Sequence, residues 1–571
     1  RGMNWNVQCA YCHMTNLDKG YDAATDTYHT TWDEASISCQ QCHGTMPGHA
    51  EAAAKPGYTP EDPRSRQQAM MMCASCHSRR EELTGAFQLG DHFADHYRLT
   101  LPDMPGIYHH DGQVLEEDYV YGSFMMSKMG NSDVTCMDCH NIHSGETILP
   151  ATNNFLCLQC HIPPGIRGAT PIDEFAHSHH QPGSTGNLCV ECHMANTTYM
   201  ARDPRRDHGF IIPDPLLTKE LGIPNSCNRC HTNENETVDW AIEWVDKWYG
   251  EKMDRRTRTR ARLVARAHDQ DETVVPDIIA FLADETIPAW RAALVSLVAP
   301  WVRQPEVLAL TRESLEHPDP LVRSAALRSI RPLPEARALA SPLLDDPIRL
   351  VRLDAAMAMA GQLDPATSNH QEFTHYLDIT SDQPAGALRR AEFALMQNRL
   401  EDAELWADRA AAWEPAAGYL HYFRGMVLNR AGRNPEAIEA FQNAITLEPD
   451  NADHYYGLAL LYGEMGQIRD VVRTLTEAVN RDPTLTRAWY NLGLAHAQLE
   501  NLPLAVTALR RAEALDPANP DYPFARATIH LRQDQPDQAR EAAIQALTQD
   551  RNHQPSLSLL GQLGPGPGPA P

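Results

Sequence analysis

The pattern Cys-x-x-Cys-His occurs seven times between Cys9 and His231: Cys9/Cys12/His13, Cys39/Cys42/His43, Cys73/Cys76/His77, Cys136/Cys139/His140, Cys157/Cys160/His161, Cys189/Cys192/His193 and Cys227/Cys230/His231. Together these motifs consume all 14 cysteines of the chain. Two thiols at this spacing form thioethers with the two vinyl groups of a porphyrin, and the histidine that follows lies under the iron as its proximal ligand. Structural zinc takes four donors, usually from two cysteine pairs, so seven pairs leave one unmatched and give no reason for the histidines. Disulfides within each pair leave the same histidines unexplained. The segment holding the motifs has to fold around seven covalently attached haem c groups.

Residues 1–240 carry many Gly, Pro, Asn and Asp between motifs and little sustained helical periodicity. We expect a loop-rich domain there, with short helices bearing the motifs, porphyrins forming much of the core, and thin protein-only packing. An iron that only passes electrons needs a sixth ligand, because a filled coordination sphere changes little between oxidation states and leaves no place for a substrate. Outside the motifs, the first 240 residues hold 11 histidines: His29, His49, His92, His96, His109, His110, His143, His177, His179, His180 and His208. Bis-histidine ligation is the expected state. His49, His143 and His208 are favoured as distal ligands, with one or two more from the His177–His180 cluster. Met129 is a weaker rival, since thioether ligation would raise the potential of its haem.

Near Thr237 the composition changes, and Trp240, Ile242, Trp244 and Val245 open an amphipathic helical pattern that dominates the rest of the chain. Arg291, Arg323 and Arg352 mark three similar stretches, which suggests a short HEAT-like array over residues 241–375. Pro415, Pro449, Pro483 and Pro517 then recur every 34 residues, the tetratricopeptide period. Gly425 and Gly493 allow close helix packing within that frame, and four to five repeats fill residues 376–555. A solenoid of this kind docks partners on its concave face. Residues 556–571 have the composition of a Pro/Gly-rich tail, which gains order only by resting on the solenoid or on a neighbouring copy. The expected fold class is mainly α: a loop-rich multihaem domain over 1–240 followed by an α-solenoid.

The formal charge of −26 argues against nucleic acid or anionic lipid as partner and suits encounters with basic patches or other redox proteins. No run of 18 apolar residues offers a membrane span. Haem is attached to this motif outside the cytoplasm, so a periplasmic or extracellular location is expected, with an export signal upstream of Arg1.

Longer phrases resemble a known family: Trp5-Asn6-Val7-Gln8-Cys9-Ala10-Tyr11-Cys12-His13, Thr30-Thr31-Trp32-Asp33-Glu34, Cys73-Ala74-Ser75-Cys76-His77-Ser78-Arg79-Arg80, Asp111-Gly112-Gln113, Tyr121-Gly122-Ser123-Phe124 and Asp203-Pro204-Arg205-Arg206-Asp207-His208. They are similar to the multihaem cytochromes c that carry C-terminal tetratricopeptide repeats, of the cytochrome c-554 and octahaem kind. The likeness covers essentially the whole chain. It implies distal ligands at His49, His96, His109, His143, His177, His180 and His208, with His29 in reserve, and further sequence before Arg1 with another haem motif. Many members are labelled ammonia-forming nitrite reductases, but the Cys-x-x-Cys-Lys site of that enzyme is absent here, as are a P-loop and a dinucleotide fingerprint. No catalytic residue is assigned. Electron transfer is the leading expectation. The alternatives are a subunit of a polymeric extracellular filament, joined through solenoid and tail, and an oxidoreductase acting on nitrogen or sulfur oxyanions.

Overall fold

The computed structural model describes residues 4–44, 65–88, 90–117, 119–199 and 202–564. His49 and the Pro/Gly run from Pro565 lie outside the described residues. The chain forms two compact units, Met3–Thr380 and Ser381–Pro571 together with Arg1–Gly2.

In the first unit each motif sits on a short helix or turn. Ala10–His13, Cys39–His43, Phe155–His161, Cys189–His193 and Cys227–Cys230 carry five of them, Arg66–Ala74 leads into a sixth, and a 3-10 turn at Cys136–Asp138 holds the seventh. Local chemistry starts these helices. The Ser38 hydroxyl accepts from the Gln40 amide, and Ser65 with Gln68 forms a reciprocal capping box. Three antiparallel hairpins join the motifs: Tyr21–Asp22 with Thr27–Tyr28, Arg80–Glu82 with Tyr97–Leu99, and Asn196–Tyr199 with Asp203–Arg206.

Thin protein packing holds only in part of residues 1–240. Between Met126 and Leu217 the buried apolar side chains are Leu156 and Val190, among the described residues. Residues 70–126 differ. Phe93, Tyr97, Leu99, Tyr121, Phe124 and Met126 enter one core with Trp290, Leu294, Leu327, Ile330 and Val351. Trp290, 1% exposed, donates its indole N–H to the Met126 carbonyl at 3.1 Å and lies so close to Gly112 that a Cβ there would sit 2.6 Å from the ring. Arg98 forks onto Asp354 at 2.8 and 2.7 Å while its Nε donates to Glu81, and Arg349 donates to the Asp95 carbonyl at 2.7 Å. Residues on the two sides of position 240 therefore share one core, and the composition shift there marks a change of local periodicity within a single packed body.

The recurring arginines have a common task. Arg291 donates to the Leu282 carbonyl, Arg323 to those of His317 and Pro318, and Arg352 to those of Asp346 and Pro347. Each thus satisfies carbonyls left open where the preceding helix ends. Proline in the first turn opens Val275–Leu282, Pro288–Leu297, Pro305–Leu315 and Pro320–Ile330, where its missing N–H costs nothing.

The second unit is a succession of helix pairs: Pro384–Met396 with Leu400–Trp413, Gly418–Arg430 with Asn434–Leu447, Ala452–Glu464 with Ile468–Arg481, Thr486–Gln498 with Leu502–Leu515, and Asp521–Arg532 with Pro536–Gln549. A final helix, Gln554–Leu563, runs into the segment read as tail from residue 556, so tail composition begins only at Gly564. Small residues set the helix spacing. A Cβ on Gly493 would lie 2.8 Å from Leu509, and one on Gly425 3.0 Å from Phe441.

Candidate haem sites

No disulfide joins any of the 14 cysteines. Cys9, Cys39 and Cys230 are exposed, and Cys12, Cys42, Cys73, Cys76, Cys136, Cys139, Cys157, Cys160, Cys189, Cys192 and Cys227 are half-buried. Backbone bonds fix several of the second thiols in place. Cys42 lies in the last turn of Cys39–His43, which closes when the Gly44 amide donates to the Gln40 carbonyl at 2.8 Å. The Cys160 carbonyl accepts from the Ile166 amide at 3.1 Å, and that of Cys139 from the Ile148 amide at 2.9 Å.

The seven motifs are neighbours in space, in an order that differs from the sequence at one point. The Asn16 amide donates to the Gln41 side chain at 2.8 Å, joining the Cys9 and Cys39 motifs. The Cys12 thiol reaches the Cys76 carbonyl at 3.6 Å. Arg66, on the helix that bears Cys73, donates to the Thr135 hydroxyl at 3.1 Å and to the Asp138 carboxylate of the Cys136 motif. Gln159 donates to the Asp138 carbonyl at 3.1 Å, Asn154 accepts from the Cys189 amide at 2.9 Å, and Ser226 donates to the Cys192 carbonyl at 2.7 Å. The motifs therefore follow each other as Cys39, Cys9, Cys73, Cys136, Cys157, Cys189 and Cys227, each touching the next.

Four motif histidines face a second histidine across a gap. Ring centroids are 6.1 Å apart for His43 and His143, 6.3 Å for His140 and His208, 6.0 Å for His193 and His177, and 6.1 Å for His231 and His180. Rings in direct stacking contact would be far closer. Two imidazole nitrogens bound at about 2 Å on either side of one metal put the centroids about 6 Å apart, so each gap suits an iron. The outward nitrogens are already held. Nδ1 donates to the Thr170 carbonyl from His161, to Ile211 from His193, to Ser178 from His180, to Arg206 from His208, and to the Glu236 carboxylate from His231. Such partners fix the tautomer and leave Nε2 for the metal. Burial also pushes the His77, His193 and His208 imidazoles below their usual range, favouring the neutral form that ligates.

The remaining candidates are placed differently. Among the described residues no histidine ring pairs in this way with His13, His77 or His161, and none of His29, His96 and His109 faces a motif histidine. His96 has both nitrogens engaged, Nδ1 with Thr84 at 2.6 Å and Nε2 with Asp91 at 2.9 Å, so the ligand role implied for it by resemblance does not fit this arrangement. His110 packs edge-on against His268, His179 stacks on Trp248, and Met129 packs against the apolar core.

The surroundings suit a large flat apolar group. Trp5, Trp32, Ile142, Phe155, Ile162 and Ile166, all in the motif segments, are 42–57% exposed. A cavity of about 250 Å³ lies between the helix Arg66–Ala74 and the turn before Cys136, where Met70, Met125 and Val134 share the lining with Gln67, Gly130, Asn131, Asp133 and Thr135. No group of three or more His, Cys, Asp or Glu converges on a point among the described residues, as a bare metal ion would require. Sequence reasoning missed the role of Arg80, whose guanidinium lies 4.6 Å from the Tyr11 ring and 4.7 Å from the Tyr97 ring beside the first and third motifs. It missed Asn154 too, which bridges two motifs from a left-handed backbone position at φ 63°.

Parts of the chain match known families. Residues 3–87 match cytochrome c3, residues 129–164 the doubled CXXCH motif, and residues 425–466 and 456–520 tetratricopeptide repeats. The chain has the make-up of a multihaem cytochrome c with C-terminal tetratricopeptide repeats. No curated protein matches this multihaem cytochrome chain. Solved structures similar to it include the MamA protein (15% identity, TM-score 0.28, covering 30% of this chain and 93% of that one). MamA 41-end from Desulfovibrio magneticus RS-1 is 22% identical, with TM-score 0.28 and coverage of 30% and 96%. YrrB, a TPR protein with an unusual peptide-binding site, is 21% identical, with TM-score 0.28 and coverage of 33% and 96%.

Proposed function

We propose that the chain relays electrons along seven haem c groups, one on each motif, in the spatial order Cys39, Cys9, Cys73, Cys136, Cys157, Cys189, Cys227. The observation that carries this reading is the unbroken succession of contacts between motifs. Each haem would be held through two thioethers: Cys39 with Cys42, Cys9 with Cys12, Cys73 with Cys76, Cys136 with Cys139, Cys157 with Cys160, Cys189 with Cys192 and Cys227 with Cys230. Porphyrins anchored on touching motifs are near neighbours, and electron hopping needs nothing more from the protein than proximity and fixed ligands. The haems supply the one-electron chemistry. The protein's share is to hold the imidazoles. His43 with His143, His140 with His208, His193 with His177 and His231 with His180 form four ligand pairs, and the Nδ1 partners of His193, His208, His180 and His231 keep those rings aimed. Full coordination favours transfer over turnover.

Haem is attached to such motifs outside the cytoplasm, which supports a periplasmic or extracellular location for the protein. The tetratricopeptide unit offers a docking surface for a redox partner, and the acidic charge steers that encounter in a salt-dependent way. Intact mass and reduced-minus-oxidised spectra test the reading. We expect the mass of seven haems above the polypeptide and, from the haems of the four paired sites, low-spin spectra that carbon monoxide and nitrite leave unchanged. A colourless protein would refute haem binding, and a ligand-induced shift would instead indicate an iron open to substrate.

A further inference from the structure

The loop from His177 to Asn187 offers imidazoles to two different motifs, so its conformation has to be held from both sides. On one side stands the helix Val238–Tyr249. Its Trp240, Trp244 and Trp248 recur every fourth residue and share a face, with ring centroids 6.4 and 5.4 Å apart. Trp240 lies 4.7 Å from His231. Trp248 stacks on His179 at 4.6 Å and 12° and meets the His180 ring at 6.4 Å. Tyr249 donates its hydroxyl to the His177 carbonyl at 2.5 Å, with its ring 5.8 Å from the His177 ring. One helix face thus runs from the proximal histidine of the last motif to the histidines opposite the last two.

On the other side stands Gly186. A Cβ there would lie 2.2 Å from Cδ2 and 2.7 Å from Nε2 of His180, so only glycine lets the ring occupy its place. Asn187 ties the loop to the Glu174 carbonyl at 3.0 Å and to the Ser178 hydroxyl at 2.9 Å. His179 adopts φ 56°, a left-handed conformation costly for a residue with a Cβ, and its ring stacks on Trp248 and meets Tyr249 edge-on at 5.8 Å.

We propose that Trp248 and Gly186 are positioning residues that clamp this loop so that His180 faces His231 while His177 faces His193. This rests on the haem reading above and assigns what enforces two of its ligand pairs. The test uses the full haem-loaded chain. Trp248→Ala should convert one or two of the low-spin haems to high-spin, seen by electron paramagnetic resonance, and give a carbon monoxide difference spectrum, with the mass of attached haem unchanged. Trp248→Phe, which keeps a stacking ring, should restore the low-spin state. Trp244→Ala, which removes a ring in contact with Trp240, Trp248 and Lys247 but with no histidine, should leave ligation as it was. Gly186→Ala attacks the same imidazole without touching an indole and should raise the same high-spin signal. Wild-type spin states and no carbon monoxide response in both Trp248→Ala and Gly186→Ala overturn the clamp. Loss of all haem from the unaltered chain would overturn the electron-transfer reading itself.

Discussion

The tetratricopeptide unit and the motif segments solve the burial problem in opposite ways. In the repeats, Ala437, Ala440, Phe441, Leu475, Ala478, Leu509 and Ala512 are at most 3% exposed, and each helix covers its neighbour's apolar stripe. In the motif segments 4–44 and 127–213, Ala10, Leu156 and Val190 are the buried apolar residues among those described, while large apolar side chains such as Phe155 and Ile162 stay more than half exposed. Exposed apolar side chains occur in the repeats too, Leu504 at 54% and Met396 at 51%, so the contrast lies in how few apolar residues the motif segments bury. The proposed haems would supply the core missing there.

The sharpest way to break this contrast is to withhold haem. Chain made without the attachment machinery should exchange its backbone amides freely over residues 4–44 and 127–213, yet keep protection over 384–563, as read by hydrogen-exchange mass spectrometry. Protection of the motif segments without haem would refute the division of labour. A smaller effect is expected where protein core does exist in the first unit. Trp290→Ala should cost about 3–5 kcal/mol there, seen as an earlier urea midpoint followed by haem absorbance, with the repeat helices unaffected. The smallest effect concerns pH in the repeats. Burial holds the His454 imidazole below its usual range. The unfolded chain then takes up the proton first, so the stabilising term is complete above about pH 6.5 and declines as pH falls through that value. Thermal melts of the repeat unit should show a modest loss between neutral and mildly acidic buffer that His454→Gln removes.

Much of this layout is legible in the sequence because it is written in spacing. The attachment motif is five residues long and needs no tertiary partner to be recognised, and the 34-residue recurrence of Pro449 and Pro483 directly reflects helix length plus turn. The ligand pairs are a different matter. His43 meets His143 across a hundred positions, and although the sequence favours His143 as a ligand, nothing along the chain says which motif histidine it meets, or that the nitrogens of His96 are bound by Thr84 and Asp91. The composition shift near Thr237 is likewise a poor guide to packing, since Trp290 and Arg98 tie the two sides together through contacts that local periodicity does not encode. Trp240 and Trp244 were legible as part of an amphipathic helix, but the indole series they form with Trp248 takes its meaning from the histidines opposite.

In the proposed relay, the serial contact of the motifs would separate two quantities usually measured together. Capacity is the number of electrons the molecule stores, and it survives the loss of a middle link, because sites on both sides still charge and discharge. Throughput does not, since a gap at the Cys136 motif leaves two islands with no bridge across the break. Equilibrium titration would then report a nearly intact molecule that no longer conducts from end to end.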